Sequence, residues 1–217
     1  TRTEFERIWR ADPVRGKSRA VAELTIGGAF MLEGRPRRIM WDDDAQNVGV
    51  IKGTAYFVQA GYGIYDVSDG ANGWHERTLL LTPAQIGGLK APLKAPLRTS
   101  LTSTRATSFE VGGKIPAWGV YELRGPIQSD AQIEVPGRWR IYLNRSLGEH
   151  QVATIDTRPG HLATYLNGVA RQLLDPRSSM LKSCSLLPGQ NVVALRGASI
   201  EGTASVTVRW RNMKASI

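Results

Sequence analysis

A period-two alternation of apolar and polar residues, broken about every 10–15 residues by turn dipeptides, most limits what this chain can fold into. In ASVTVRWR (204–211), Val206, Val208 and Trp210 fall on one face of a strand, and Ser205, Thr207, Arg209 and Arg211 fall on the other. WRIYLN (139–144) divides the same way, with Trp139, Ile141 and Leu143 opposite Arg140, Tyr142 and Asn144. Further segments of this kind are TSFEV (107–111), GVYELRG (119–125), QIEV (132–135), QVATIDT (151–157), LATYLNG (162–168) and NVVALRG (191–197). Gly-Pro, Pro-Gly, Asn-Gly and Leu-Gly separate them, which is the pattern of an antiparallel β-sandwich or barrel. No helical segments of 10–15 residues alternate with the strands, which argues against an α/β sheet.

The first half is also strand-rich. AVAELTI (20–26), RIMW (38–41), VGVIK (48–52), AYFVQA (55–60), GIYDV (63–67) and ERTLLL (76–81) are expected strands. One short helix is expected before them. Thr3 and Glu6 have capping-box spacing, Phe5, Ile8 and Trp9 share a face, and Asp12-Pro13 ends the run. TPAQIGGLKAPLKAPLRTSLTST (82–104) holds three prolines and the small repeat KAPLKAPL, so it reads as a linker or extended arm. The expected fold is mainly β: an N-terminal β-rich domain with one short helix (1–81), an arm (82–106) and an antiparallel β-sandwich (107–217).

The chain carries 28 Lys+Arg against 19 Asp+Glu, a formal net charge of +9. The excess is +4 over residues 1–106 and +5 over 107–217, so there is no basic tail. Such a balance favours acidic partners without specifying nucleic acid. The triplet RWR occurs at 138–140 and at 209–211. A base-stacking platform needs its aromatic ring on the exposed face beside the cations. Here the alternation turns both tryptophans inward and Arg138, Arg140, Arg209 and Arg211 outward, which makes those four arginines interface candidates.

Signals for chemistry are weak. ADPVRGKS (11–18) matches a relaxed phosphate loop, but a helix precedes it and a strand follows, the reverse of what such a loop requires. Asp42, Asp43 and Asp44 lack the alternating spacing of a calcium loop and read as a solvated turn. His75, His150 and His161 are scattered, and the single cysteine, Cys184, reads as a buried thiol. Asp156 and Arg158 in TIDTRPG are explained by a strand end entering a turn. No catalytic, cofactor-binding or metal site is expected. No apolar run approaches the ~20 residues that span a bilayer, so a soluble protein without a membrane anchor is expected.

An ordered set of motifs carries a resemblance: PAWGVYELRGPI (116–127), GRWRIYL (137–143), TIDTRPG (154–160), LNG (166–168), LLDPRSS (173–179) and LLPGQNVVALRG with ASVTVRWRN (186–212). With these, residues 107–213 resemble the C-terminal part of distal tail proteins of long-tailed, non-contractile phages, especially minor tail proteins of actinobacterial phages. Each element also has a local reading: Gly125-Pro126 stops a strand, Pro188-Gly189 starts a turn, and Asn191 is expected to tolerate that turn's unusual dihedrals. Residues 1–106 resemble the family less clearly.

The resemblance implies a galectin-like β-sandwich and an N-terminal domain that assembles into a ring, commonly a hexamer, between tail tube and tail tip. The implied partners are further copies of the chain, the tail tube protein, the tail tip or hub protein, and the tape-measure protein. The implied place is the virion tail, with assembly in the host cytoplasm. Sequence-specific nucleic acid is not among the partners. Within the arm, Pro92 and Pro96 are further contact candidates, because a long irregular stretch in a compact protein is commonly functional. A different reading makes the sandwich a carbohydrate-binding module of the tail tip, with Trp74 and Trp118, expected in turn-like surroundings, as its platforms. An enzyme, such as a cell-wall hydrolase, lacks the paired carboxylates or His/Cys constellation it would need.

Overall fold

The computed structural model describes residues 22–26, 30–42, 52–59, 64–68, 73–81, 103–197 and 204–215. They form a mainly-β protein of several antiparallel sheets. The expected N-terminal helix, ADPVRGKS, Asp43, Asp44, Pro92 and Pro96 lie outside the described residues.

Two sheets face each other. The first has four strands, β6 (Ser103–Val111), β9 (Gln132–Val135), β10 (Trp139–Tyr142) and β15 (Gly189–Gly197), in the order β10-β9-β15-β6. The second has six: β5 (Trp74–Leu81), β8 (Val120–Arg124), β11 (Val152–Asp156), β12 (Ala163–Leu166), β13 (Val169–Ala170) and β16 (Ala204–Arg211). Their order is β13-β12-β11-β8-β16-β5. Every pairing between them is antiparallel, and a short pair, β7 (Ala117–Trp118) with β14 (Ser185–Leu186), lies beside them.

The alternation in the sequence decides which residues meet between the sheets. Tyr121, Leu123, Ile155, Val206 and Val208 of the six-stranded sheet are fully buried, as are Ile133, Ile141, Val193 and Leu195 of the four-stranded sheet. Aromatic rings join the layers: Tyr121 meets Trp139 edge-on at 5.4 Å between centroids, and Phe109 stacks on Trp210 at 4.3 Å. Burying a side chain of this size contributes about 1.5–3 kcal/mol.

A third sheet of five strands involves β1 (Ala22–Ile26), β2 (Phe30–Asp42), β3 (Lys52–Gln59), β4 (Ile64–Asp66) and β17 (Met213–Lys214). β2 runs 13 residues and pairs with β1, β3 and β4. Only 38–41 of it is legible in the sequence, because GRPRR interrupts the apolar pattern. The ladder accommodates that stretch through a register shift between Pro36 and Arg38, where a proline's missing donor is tolerated.

The chain's last strand ties these parts together. Met213 pairs with Tyr65 of β4 and forms a bridge with Gly113, and the Asp66 amide donates to the Asn212 carbonyl at 2.9 Å. β5, which precedes the Pro/Gly-rich stretch in sequence, pairs along its whole length with β16. Asn167 (φ 49°) and Gly168 (φ 77°) make the two-residue turn between β12 and β13, the left-handed pair a tight hairpin demands. A β-carbon on Gly125 would lie 2.2 Å from the Gly148 carbonyl oxygen, so only glycine fits beyond β8.

Candidate functional site

The two RWR triplets occupy different sheets and differ in one important respect. In the first, Trp139 is buried and its indole N–H donates to the Ser185 carbonyl at 2.9 Å. Arg138 and Arg140 are exposed, as the alternation requires. Arg138 lies in the β9–β10 turn and donates to Ser185 Oγ at 3.4 Å.

In the second triplet Trp210 is buried between Phe109 and His75, with ring centroids at 4.3 and 5.6 Å. Arg209 is half-buried, but Arg211 is only 5 % exposed, which corrects the expectation that both arginines face outward. The cause is the third sheet, which covers this end of β16: the Arg211 guanidinium lies 5.6 Å from the Tyr65 ring and donates to Met31 Sδ at 3.5 Å. A sequence pattern reports which face a side chain takes but not what later packs on that face.

Three guanidiniums converge on Trp74. Arg211, Arg209 and Arg158 lie 4.3, 5.0 and 5.3 Å from its ring centroid. Trp74 is the first residue of β5, directly opposite Arg211 in the ladder, rather than part of a turn. Arg158 is oriented by Asp156, with Nη2–Oδ2 at 2.7 Å and Nε–Oδ1 at 3.0 Å, while the Arg158 amide also donates to Oδ1 at 3.0 Å. Asp156 ends β11, so a strand end entering a turn accounts for this pair. Trp118 is likewise in a strand, β7, half-buried, with its indole N–H donating to the Lys182 carbonyl at 2.9 Å. Cations line the Trp74 ring where a sugar platform needs open surface.

A second arginine cluster was not legible in the sequence. Glu134, on the outward face of β9, is 1 % exposed. Its Oε2 accepts from Arg140 Nε at 3.0 Å and Gln132 Nε2 at 2.6 Å, and its Oε1 accepts from Arg196 Nε and Nη2, both at 2.7 Å. A buried carboxylate requires such pairing, since unpaired burial is costly. The alternation puts Glu134 and Arg196 outward, but only the strand order and register make them neighbours.

Beside it, Arg177 bonds Asp175 and Asp130 and lies 4.8 Å from the Tyr142 ring. These contacts hold the Asp175 carboxyl below its ordinary range and raise the Arg177 guanidinium. Arg177 and Asp175 belong to LLDPRSS, whose backbone continues along the edge of β10: the Asp175 amide donates to the Tyr142 carbonyl at 3.0 Å and the Ser179 amide to the Arg140 carbonyl at 2.8 Å. Asn191 does not adopt a left-handed conformation, contrary to expectation; that role falls to Gly189 at φ 91°. Asn191 instead clasps the turn with its side chain, donating to the Leu187 carbonyl at 2.6 Å and accepting the Leu187 amide at 3.1 Å.

Cys184 is buried, and burial pushes its thiol up to about 12, so it stays protonated and poorly nucleophilic at neutral pH. His75 Nε2 lies 2.9 Å from Asn212 Nδ2. Among the described residues there is no group of three His, Cys, Asp or Glu side chains placed to hold a metal ion, and no helix long and apolar enough to cross a membrane. No known protein family matches the chain, and no curated protein is detectably similar to it.

Proposed function

We propose that this chain is a structural component of a long, non-contractile phage tail, where copies form an oligomeric ring, a hexamer, that connects the tail tube to the tail tip. Its partners are its own copies, the tube protein, the tip or hub protein and the tape-measure protein. The observation carrying this reading is that every motif of the ordered set in 107–213 serves as a strand, turn or edge of one antiparallel assembly. PAWGVYELRGPI supplies β7 and β8, GRWRIYL supplies β10, and TIDTRPG ends β11. LNG forms the β12–β13 turn, and LLPGQNVVALRG with ASVTVRWRN supplies β15 and β16.

A galectin-like description fits two facing antiparallel sheets of six and four strands. In this reading the motifs act as a scaffold that presents Arg138 and Arg140 on its surface. Symmetric assemblies multiply modest contacts of this kind.

Two measurements test the reading. The mass of the purified protein in solution should be about six times its 23.8 kDa chain, and gold-labelled antibody on tailed particles should mark the junction of tube and tip. A strictly monomeric protein that never appears in particles would overturn it.

A further inference from the structure

We infer that the outward face of the four-stranded sheet docks an acidic protein surface, with Arg140 and Arg196 as its paired carboxylate-binding anchors and Glu134 as the residue that positions them. This deepens the tail reading by naming the partner's chemistry and the residues that meet it.

The register builds the site. Ala106, Ala194, Glu134 and Arg140 lie side by side across the four strands, and Arg196, Gln132 and Tyr142 form the next row. Arg140 and Arg196 are therefore diagonal neighbours on either side of β9, one on each oxygen of the same carboxylate. The carboxylate is 1 % exposed, whereas the two guanidinium side chains remain 57 % and 47 % exposed.

A surface arginine ordinarily loses rotamer freedom when it binds, and this opposes association. Here Glu134 has already imposed that order. Two cations share one anion, so the trio keeps a positive charge directed at solvent. A guanidinium anchored through Nε still offers its remaining N–H groups to a second carboxylate.

The surroundings favour a protein face over a nucleic acid. Ala106 and Ser108 are exposed and small, and Val192 is 42 % exposed, giving a patch of small uncharged side chains beside the charges. Trp139 is buried beneath the sheet and Arg177 lies over the Tyr142 ring at 4.8 Å, so neither ring offers a base an open stacking surface. Arg177, the next cation along, is committed to Asp130 and Asp175. The chain's net charge of +9 supplies long-range attraction to acidic partners.

The test uses fluorescently labelled hexaglutamate and the full chain at low ionic strength, read by anisotropy. Arg140→Ala/Arg196→Ala should bind the peptide about fivefold or more weakly than the wild type, since exposed carboxylate contacts are individually modest. The charge-matched pair Arg145→Ala/Arg171→Ala, exposed elsewhere, should lose less than about twofold. Arg140→Lys/Arg196→Lys, which keeps charge and removes the fork, should fall between them.

Equal loss in both alanine pairs, wild-type binding by the lysine pair, or no binding by the wild type would each overturn the inference. Tighter binding of hexathymidylate through the same two arginines would overturn it in favour of phosphate. Because the peptide measurement needs neither particles nor a ring, it can fail while the tail reading stands, and the reverse.

Discussion

Phe109 and Trp210 stack across the two sheets with centroids 4.3 Å apart and ring planes 25° from parallel. Each ring belongs to a different sheet, so the pair bonds the layers as well as filling space. Trp210→Ala and Phe109→Ala should each destabilise the fold by about 3–5 kcal/mol in denaturant unfolding. The double variant should cost less than the sum by about 1 kcal/mol. Simple additivity would mean the stack contributes nothing beyond burial.

The two arginines flanking Trp210 should behave differently. Arg211 is buried over Trp74 at 4.3 Å, while Arg209 is half-buried, 5.0 Å from the same ring and 3.7 Å from Glu122. Arg211→Ala should cost about 2 kcal/mol through lost packing and cation–π contact, and Arg209→Ala less than about 1 kcal/mol. Thermal melts of the two variants decide this; equal shifts would contradict it.

Tyr121 places its hydroxyl in the core with no hydrogen-bond partner among the described residues, and burial raises its phenol well above the usual range. A buried unpaired hydroxyl costs about 1–3 kcal/mol. Tyr121→Phe should therefore leave stability unchanged or raise it by up to about 1 kcal/mol, with the edge-on contact to Trp139 retained. A loss of more than about 1 kcal/mol on chemical denaturation would reveal a hydrogen bond the geometry does not contain.

Within the third sheet, Asp66 of β4 pairs with Lys214 of β17, the chain's last strand, at 2.7 Å. Hydrogen bonds from Lys214 and then Ser68 hold its carboxyl at about 2. A depressed carboxyl stabilises the fold above its unfolded value near 4, and that contribution is lost as pH falls from about 4 through 2. Solvent screening limits it to about 0.2–1 kcal/mol. In an NMR titration of the carboxyl carbons, Lys214→Met should move the Asp66 midpoint upward toward the ordinary range; an unmoved midpoint would exclude Lys214 as the cause.

Cys184 should resist thiol reagents in the folded protein, because its thiol is buried and pushed up to about 12. Ellman's reagent at pH 8 should register less than about a tenth of one thiol per chain natively and one per chain in guanidinium. Rapid native reaction would show that this part of the molecule opens readily.

By itself the sequence determined the mainly-β class, most strand positions in 107–213 and the inward turn of Trp139 and Trp210, because a strand's period of two is a local property. It also marked Gly125-Pro126, Asn167-Gly168 and Pro188-Gly189 as breaks, since steric limits on glycine and proline need no distant partner. It did not determine the burial of Arg211, which follows from the third sheet packing against the end of β16. Nor did it reveal that Glu134 joins Arg140 to Arg196, residues 6 and 62 positions away along the chain. Pairing of that kind depends on strand order and register. Those are fixed only when the two sheets close on a common core, and there the tertiary structure alone decides which outward side chains become neighbours.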